Sequence, residues 1–253
     1  MKYIRGIWRQ REVWGYVEGD EVALLQADAI LNEDSAPTGE RAPLAEVRLL
    51  APCRPGKIIA VGVNYRDHAA EMKEDVHEED PVIFLKPPSS VIGPEDEIIR
   101  PAQSQRVDFE AECAVVIGHR GKDILREDYD RYVFGYTCLN DVTARDLQAK
   151  DGQWTRGKGF DTFCPIGPWI ETEFDPTNAM VQSRLNGEIR QNSNTRYFIH
   201  PVDRVVEYVS AVMTLEPGDI ITTGTPGGIG TLNGGDVIEV EVGGIGTLRN
   251  RVR

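Results

Sequence analysis

The sequence contains no apolar run of the length that a membrane-spanning helix requires. Its first residues lack the apolar core of a signal peptide, so we expect a cytoplasmic protein. Cysteine is scarce, and none of the four stands in a C-x-x-C pair or at the Cys/His spacing of a zinc site. This scatter predicts reduced core residues at Cys53, Cys113, Cys138 and Cys164.

Positive charge is also in short supply. The 253-residue chain has 28 Lys and Arg against 41 Asp and Glu, a formal net charge of -13. Such a surface repels phosphate, so we expect neither nucleic acid nor an anionic membrane as a partner. A small anionic ligand would need a local cation to hold it. The 40% hydrophobic and 27% charged fractions are those of an ordinary globular protein.

Strand patterns dominate the chain and predict a β-rich α+β fold. Residues 1–52 are interpreted as a small N-terminal β subdomain, with strands near 4–8, 13–17 and 22–25, and residues 53–253 as a larger domain. Helical spacing is confined to a few segments, notably one after residue 64 and one over 203–214. These helices are too few for repeated βαβ units, so we expect an antiparallel or mixed β-sandwich or β-roll.

The strongest chemical signal is an acidic strand at 107–113, VDFEAEC, in which acidic and apolar side chains alternate. This period of two places Glu110 and Glu112 on one face, about 7 Å apart at their backbones. Burying both carboxylates without a partner is costly, and a hard divalent ion bound through oxygen removes that cost. The alternative is a half-exposed strand with a solvated acidic face, and the pattern leaves both interpretations open.

A second polar cluster follows a predicted strand at 140–148, NDVTARDLQ. Asp141, Arg145 and Gln148 bring together a carboxylate, a guanidinium and an amide, as a metal site beside a carboxylic-acid pocket requires. The alternative is a capped helix start with a surface ion pair between Asp141 and Arg145.

His68 and Glu71 lie three residues apart in a helix-like segment and can share one face, which suits a general base oriented by a carboxylate. A solvated helix produces the same spacing by chance. Lys158 stands between two glycines that let the backbone approach a ligand, or it is a flexible loop lysine.

The glycine-rich segment 224–230, GTPGGIG, follows a strand but precedes another strand. No helix is available to hold a pyrophosphate, which excludes a dinucleotide fingerprint. Either this is a plain turn, or its N–H groups and the Thr225 hydroxyl face an anionic ligand.

The order of these segments resembles the fumarylacetoacetate hydrolase family from about residue 57 to the C-terminus. The segments that carry the resemblance are 61–68 VGVNYRDH, 84–89 FLKPPS, 108–112 DFEAE, 140–146 NDVTARD, 158–165 KGFDTFCP, 185–188 LNGE, 214–219 TLEPGD and 223–226 TGTP. Residues 1–50 resemble the variable N-terminal part of the family only loosely.

The resemblance implies a mixed β-roll catalytic domain, a homodimer and a divalent ion, Mg2+ or Mn2+ with Ca2+ as a substitute. The implied ligands of this ion are Glu110, Glu112 and Asp141. Asp108 lies outside the ligand set and is expected to support it through hydrogen bonds. The resemblance further places Lys158 and Thr162 close to the ion, Arg145, Gln148 and Thr225 against the substrate, and His68 and Glu71 as a catalytic dyad on a mobile segment.

The implied substrate is a small anionic 2-oxo or 2-hydroxy-enol acid whose enolate forms beside the metal. The primary hypothesis is an acylpyruvate-type carbon–carbon hydrolase or an oxaloacetate decarboxylase. The alternative is a 2-hydroxyhepta-2,4-diene-1,7-dioate type isomerase or tautomerase of aromatic catabolism. A third hypothesis, a non-catalytic acid-binding or metal-binding protein, conflicts with the presence of both His68 and Lys158.

Overall fold

The computed structural model describes residues 1–73 and 75–253. Strands far outnumber helices, which confirms the prediction of a β-rich α+β fold. None of the helices in the described ranges is long and apolar enough to cross a membrane.

The N-terminal part is an antiparallel meander in sequence order. Its strands are β1 (Lys2–Trp8), β2 (Arg11–Glu18), β3 (Glu21–Leu25), β4 (Pro37–Pro43) and the short β5 (Arg48–Leu49). Arg9 and Gln10 form a two-residue turn between the first two strands, and both have positive φ, 48° and 64°. The sequence did not predict β4, because its residues are rich in turn formers.

The middle of the chain carries most of the site. Its elements are β6 (Ile58–Gly62), α1 (Arg66–Met72), β7 (Val82–Lys86), β8 (Val91–Ile92), β9 (Glu97–Ile98), β10 (Val107–Phe109), β11 (Ala111–Ile117), β12 (Val133–Asn140), β13 (Thr143–Ala144), α2 (Arg145–Asp151) and α3 (Thr155–Lys158). The last part consists of β14 (Cys164–Glu171), β15 (Met180–Leu185), β16 (Glu188–Asn194), α4 (Val202–Val212), β17 (Ile220–Thr222), β18 (Gly230–Thr231), β19 (Val237–Val242) and β20 (Gly246–Val252). Single turns of 3-10 helix cover Leu44–Glu46, Pro88–Ser90 and Thr195–Tyr197, and a longer one covers Arg126–Tyr132.

Three sheets organise these strands. The largest has twelve strands in the order β4-β3-β2-β1-β14-β12-β11-β17-β6-β7, with β5 on β1 and β8 on β14. Its pairing is mixed, because β6 runs parallel to β17 while most neighbours are antiparallel. A five-stranded sheet has the order β16-β15-β19-β20-β9, and a three-stranded sheet the order β13-β10-β18. This agrees with the predicted mixed sandwich or roll.

The main core lies where the twelve-stranded sheet meets the five-stranded sheet and α4. Val205, Val206 and Val209 of α4 pack into the same cluster as Val115 and Val240. Every residue of β11 is buried, which explains its continuous apolar run after the acidic residues. The predicted core cysteines are all buried and free: Cys53, Cys113, Cys138 and Cys164.

The acidic segment is not the single strand that its alternation predicts. β10 ends at Phe109 in the three-stranded sheet, and β11 begins at Ala111 in the twelve-stranded sheet. Glu110 lies at the break, where its N–H donates to the Asn140 side chain at 3.0 Å. Local alternation does not reveal that the two halves of an extended segment pair with different neighbours. The break brings the acidic side chains to the junction of two sheets.

Candidate active site and metal centre

Glu110, Glu112 and Asp141 form a buried carboxylate cluster, and each residue is at most 4% exposed. One oxygen from each carboxylate lies within 4.8 Å of the others. Neighbouring strands bring them together, because β11 pairs with β12 and the Asp141 N–H donates to the Glu110 carbonyl at 2.9 Å. Their burial excludes the alternative of a solvated acidic face.

Two buried lysines contact this cluster. Lys158 Nζ donates to Glu110 Oε2 at 2.8 Å and to Asp141 Oδ2 at 2.7 Å. It ends α3 and is buried, so it is not a flexible loop lysine. Lys86 Nζ donates to Asp141 Oδ1 and to the Lys158 carbonyl, both at 2.6 Å.

Lys86 has no role in the sequence-based prediction, although it belongs to a segment that carries the family resemblance. The sequence feature that could have identified Lys86 as a site residue is its position at the end of an apolar strand. A fully buried ammonium needs an acidic partner, and here that partner is Asp141.

Arg145 joins Asp108 to the cluster. Its Nε donates to Asp108 at 3.0 Å, its Nη1 to Gln148 Oε1 at 2.7 Å, and its Nη2 to Glu110. Asp108 therefore supports Glu110 through Arg145. The capped-helix interpretation of this segment is wrong, because Ala144 is the N-cap of α2 and Arg145 pairs with Asp108 and Glu110 rather than with Asp141.

The carboxylates of this site are not equally paired with cations. Lys86, Lys158 and Arg145, all buried, pair with Asp141, Glu110 and Asp108, and Asp108 also pairs with the exposed Arg106 at 3.0 Å. Within the described ranges no cationic side chain pairs with Glu112, whose carboxylate accepts the Gly224 N–H at 2.8 Å. Glu112 is thus the one carboxylate of the cluster that has no cationic partner in the part of the chain that the structure describes.

The ionisation of the cluster follows from these contacts. Burial raises the pKa of Glu112 well above its usual value, and the nearby Asp141 and Glu110 carboxylates raise it further. Burial also acts to raise the pKa of Glu110, but Lys158 and Arg145 outweigh it and the pKa falls below the ordinary value. Burial acts to lower the pKa of Lys158, but Asp141 and Glu110 outweigh it and the pKa rises. Lys158 is therefore a charged ammonium at neutral pH.

These residues fit a hard divalent cation. The donors are three carboxylate oxygens, the ligand type that Mg2+ and Mn2+ prefer. A divalent ion would also supply the positive charge that Glu112 lacks. Glu110, Glu112 and Asp141 are the residues that would hold it.

His68 and Glu71 share one face of α1, as their spacing predicts, but they are not hydrogen-bonded. His68 Nδ1 lies 3.6 Å from Glu71 Oε2, beyond hydrogen-bond distance. Glu71 Oε2 instead accepts the Gly228 N–H at 3.0 Å. His68 is 7% exposed, and its Nδ1 is buried without a hydrogen-bond partner among the described residues.

The parallel strands β6 and β17 position both the start of α1 and the glycine-rich segment, because their carboxyl ends lie side by side. Asn64 joins the two segments by donating to the Thr223 carbonyl at 2.7 Å. Its side chain also exchanges hydrogen bonds with the His200 backbone. Val63, a β-branched residue, has a φ of +57°, a strained conformation of the kind found beside functional sites.

Two N–H groups of the glycine-rich segment 224–230 donate to carboxylates, that of Gly224 to Glu112 and that of Gly228 to Glu71. Gly224 has a φ of +84°, and a Cβ there would lie 2.7 Å from Asn64 Cβ, so glycine is required. The Thr225 hydroxyl donates to the Ala111 carbonyl at 2.9 Å and accepts from Gln191 at 2.7 Å. The segment therefore makes specific hydrogen bonds to residues of the site and is not only a turn between two strands.

A cavity of about 20 Å³ lies against the carboxylate cluster, with room for an ion or a single water molecule. Besides the cluster, its polar wall consists of His68, Arg145, Gln148, Lys158 and Thr225. Its apolar wall includes Val61, Val63, Met72, Phe84 and Trp154. Of the predicted site residues, all but Glu71 and Thr162 line this cavity.

Thr162, which the resemblance places close to the ion, does not line the cavity at the carboxylate cluster. Its hydroxyl accepts the Ile99 N–H at 2.9 Å, and it lines a separate surface groove with Ile99 and Pro101. Thr162 has a φ of +71°, so the chain turns between Lys158 and β14 and directs the two side chains to different surroundings. The motif's spacing does not reveal this turn.

This site and fold belong to a known family. A family model described as "Fumarylacetoacetate (FAA) hydrolase C-terminal" matches residues 57–253, and one described as "Rv2993c-like, N-terminal" matches residues 1–52. The chain is a member of the fumarylacetoacetate hydrolase family, which confirms the resemblance seen in its motifs.

Similar proteins differ in their named activities. The mitochondrial oxaloacetate tautomerase Fahd2a of Rattus norvegicus is 45% identical over 222 residues, which are 83% of this chain and 71% of that protein. The structure of a 5-carboxymethyl-2-hydroxymuconate delta-isomerase from Mycobacterium smegmatis matches with a TM-score of 0.93 and 45% identity, covering 100% of this chain and 99% of that one. A maleylpyruvate hydrolase from Sphingobium sp. SYK-6, solved with manganese(II) and pyruvate, matches with a TM-score of 0.83 and 34% identity, covering 100% and 98%.

Proposed function

We propose that this protein is a divalent-metal-dependent enzyme that generates the enolate of a small 2-oxo or 2-hydroxy-enol carboxylic acid. The observation that carries the proposal is the buried carboxylate cluster, in which no cationic side chain from residues 1–73 or 75–253 pairs with Glu112. Mg2+ or Mn2+ is the proposed ion. When bound, such an ion stabilises negative charge that develops on a neighbouring substrate oxygen.

Lys158 is proposed to add electrostatic stabilisation. Its raised pKa keeps it charged at neutral pH, which suits it to stabilise developing negative charge and makes it a poor base. With the charge of a divalent ion added, the buried cluster carries a net positive charge. This charge would attract an anionic acid to an otherwise acidic protein.

His68 is proposed to move the proton. It lines the cavity, and its Nδ1 is free to accept or donate. Glu71 lies a few tenths of an ångström beyond hydrogen-bond distance, so a small closure of α1 would let it fix the imidazole tautomer.

The first candidate reaction is carbon–carbon cleavage, either hydrolysis of an acylpyruvate or decarboxylation of oxaloacetate. In hydrolysis, His68 takes a proton from water as the water oxygen bonds to the distal carbonyl carbon, and the carbon–carbon electron pair leaves with the pyruvate fragment. In decarboxylation, CO2 leaves and the electron pair of the broken carbon–carbon bond stays on the pyruvate fragment. The likeness to a maleylpyruvate hydrolase solved with manganese and pyruvate supports this candidate.

The second candidate is tautomerisation or isomerisation, in which a base moves a proton along the substrate and no water is consumed. Two observations favour it. The rat relative is named an oxaloacetate tautomerase, and the M. smegmatis structure is named an isomerase.

One assay separates the candidates. The protein is incubated with Mn2+ and, in turn, acetylpyruvate, oxaloacetate and 2-hydroxyhepta-2,4-diene-1,7-dioate, while enol absorbance and pyruvate are followed. Pyruvate release above the metal-only rate supports cleavage. A faster change of enol absorbance without pyruvate supports tautomerisation or isomerisation. No acceleration with any of the three acids refutes the proposed function. The homodimer implied by the family is checked by sedimentation of the same preparation.

A further inference from the structure

A second groove lies against the apolar wall of the active-site cavity. It measures about 430 Å³ and lies between residues 82–85 of β7 and residues 152–155. Phe84 and Trp154 line both the inner cavity and this outer groove. The two aromatic side chains therefore separate the cavity from the groove.

Close packing holds this aromatic pair in place. The ring centroids of Phe84 and Trp154 are 5.1 Å apart with an interplanar angle of 76°, an edge-to-face contact. Trp154 also lies directly against the backbone of Gly62, because a Cβ at that position would be 2.6 Å from a carbon of its ring. Any side chain larger than glycine at position 62 would displace the indole.

The Phe84–Trp154 pair also lies next to the charged groups of the active site. Lys158 Nζ, which contacts Glu110 and Asp141, lies 5.2 Å from the centre of the Phe84 ring. The apolar side chains that line the cavity are Val61, Val63, Met72, Phe84 and Trp154, so an apolar tail of an acid bound beside the carboxylate cluster would lie against these residues. The cavity of about 20 Å³ has no space for such a tail, whereas the outer groove does.

We infer that Trp154 is a specificity-determining residue that limits the length of the substrate tail by closing the cavity off from the outer groove. Phe84 supports it through the edge-to-face contact, and Gly62 supports it by leaving space for the indole. The inference rests on the proposed function and deepens it, because it assigns this site to 2-oxo acids with short tails.

The test compares straight-chain acylpyruvates from acetylpyruvate to hexanoylpyruvate with the full-length, Mn2+-loaded protein. In the wild-type protein, kcat/KM should fall as the acyl chain lengthens. Trp154→Ala should raise the ratio of kcat/KM for hexanoylpyruvate over acetylpyruvate by at least about tenfold, the effect of filling one additional apolar subsite. Dissociation constants of straight-chain 2-oxo acids, measured by calorimetry, should change in the same direction.

Leu85→Ala is the matched control. Leu85 neighbours Phe84 on β7 and is 49% exposed, and it lines the outer groove without reaching the cavity, so the ratio should stay unchanged. Trp154→Leu is the second variant, which retains an apolar side chain if alanine reduces stability. Its ratio should lie between those of the wild type and Trp154→Ala.

An unchanged ratio in both Trp154 variants, with acetylpyruvate still turned over, would overturn the inference and leave the proposed function standing. A wild-type protein that prefers hexanoylpyruvate would overturn it equally. If the wild-type protein neither binds nor turns over any of these acids, the inference fails, and the assays with oxaloacetate and 2-hydroxyhepta-2,4-diene-1,7-dioate decide whether the proposed function fails with it.

Discussion

Replacing Glu112 by glutamine tests the role of the one cluster carboxylate that pairs with no cation in the described part of the chain. The amide side chain would keep an oxygen that accepts the Gly224 N–H, and the change would remove a carboxylate for which no cationic partner exists among the described residues. We therefore expect Glu112→Gln to leave the metal-free protein as stable as the wild type or more stable. The same change should strongly weaken binding of Mn2+.

The size of the loss follows from the geometry of the cluster. Oxygens of the three carboxylates lie within 4.8 Å of one another, so an ion held among them is closer than that to each. A unit charge about 4 Å from a divalent ion interacts with it by about 8 kcal/mol at an effective dielectric constant of about 20. Glutamine keeps a neutral oxygen ligand, which recovers part of this; at about 1.4 kcal/mol for each factor of ten, Mn2+ binding should still weaken by at least about a thousandfold.

Calorimetry of the metal-stripped proteins measures the dissociation constant, and thermal unfolding gives a second measurement. Mn2+ at 100 times its wild-type dissociation constant should stabilise the wild type by about 2.7 kcal/mol, and this gain should vanish in the variant. Glu241→Gln, a half-buried glutamate on β19 that pairs with Arg184, is the control. Unchanged affinity and full metal occupancy in Glu112→Gln would refute the ligand assignment.

Three further outcomes are expected. Lys86→Met should lower the free energy of unfolding of the metal-free protein by about 3 to 5 kcal/mol in urea, because it leaves Asp141 without one of its buried cations. Lys86→Arg should recover part of this loss. A loss below about 1 kcal/mol in Lys86→Met would contradict the role given to Lys86. His68→Ala should lower kcat by about a hundredfold or more with metal content unchanged, and near-normal turnover would exclude it as the base. Burial raises the pKa of the Cys138 and Cys164 thiols to about 12, so both thiols stay protonated at pH 8. They should react with a thiol reagent only after denaturation. Rapid labelling of the native protein would show that these side chains are accessible. The same test applies to the other two buried thiols, at Cys53 and Cys113.

Residue types and their order were sufficient to identify the family and most of the residues that line the site. The alternation around Glu110 and Glu112 and the position of Asp141 at a strand end are local patterns, and the structure brings all three together. The helical spacing of 203–214 likewise predicts α4, because a buried helix face leaves its period in the sequence.

Only the tertiary structure showed how these residues are connected. Lys86 contacts Asp141 from 55 positions away, and Gly224 contacts Glu112 from 112 positions away. The break at Glu110 exists because the segments on either side of it pair with strands of different sheets. Glu71 lies 3.6 Å from His68 and accepts the Gly228 N–H, and the Thr162 hydroxyl accepts the Ile99 N–H. Periodicity in the sequence indicates which face of a helix or strand is buried. The partner of each hydrogen-bonding or charged group depends instead on which distant segments of the chain come into contact.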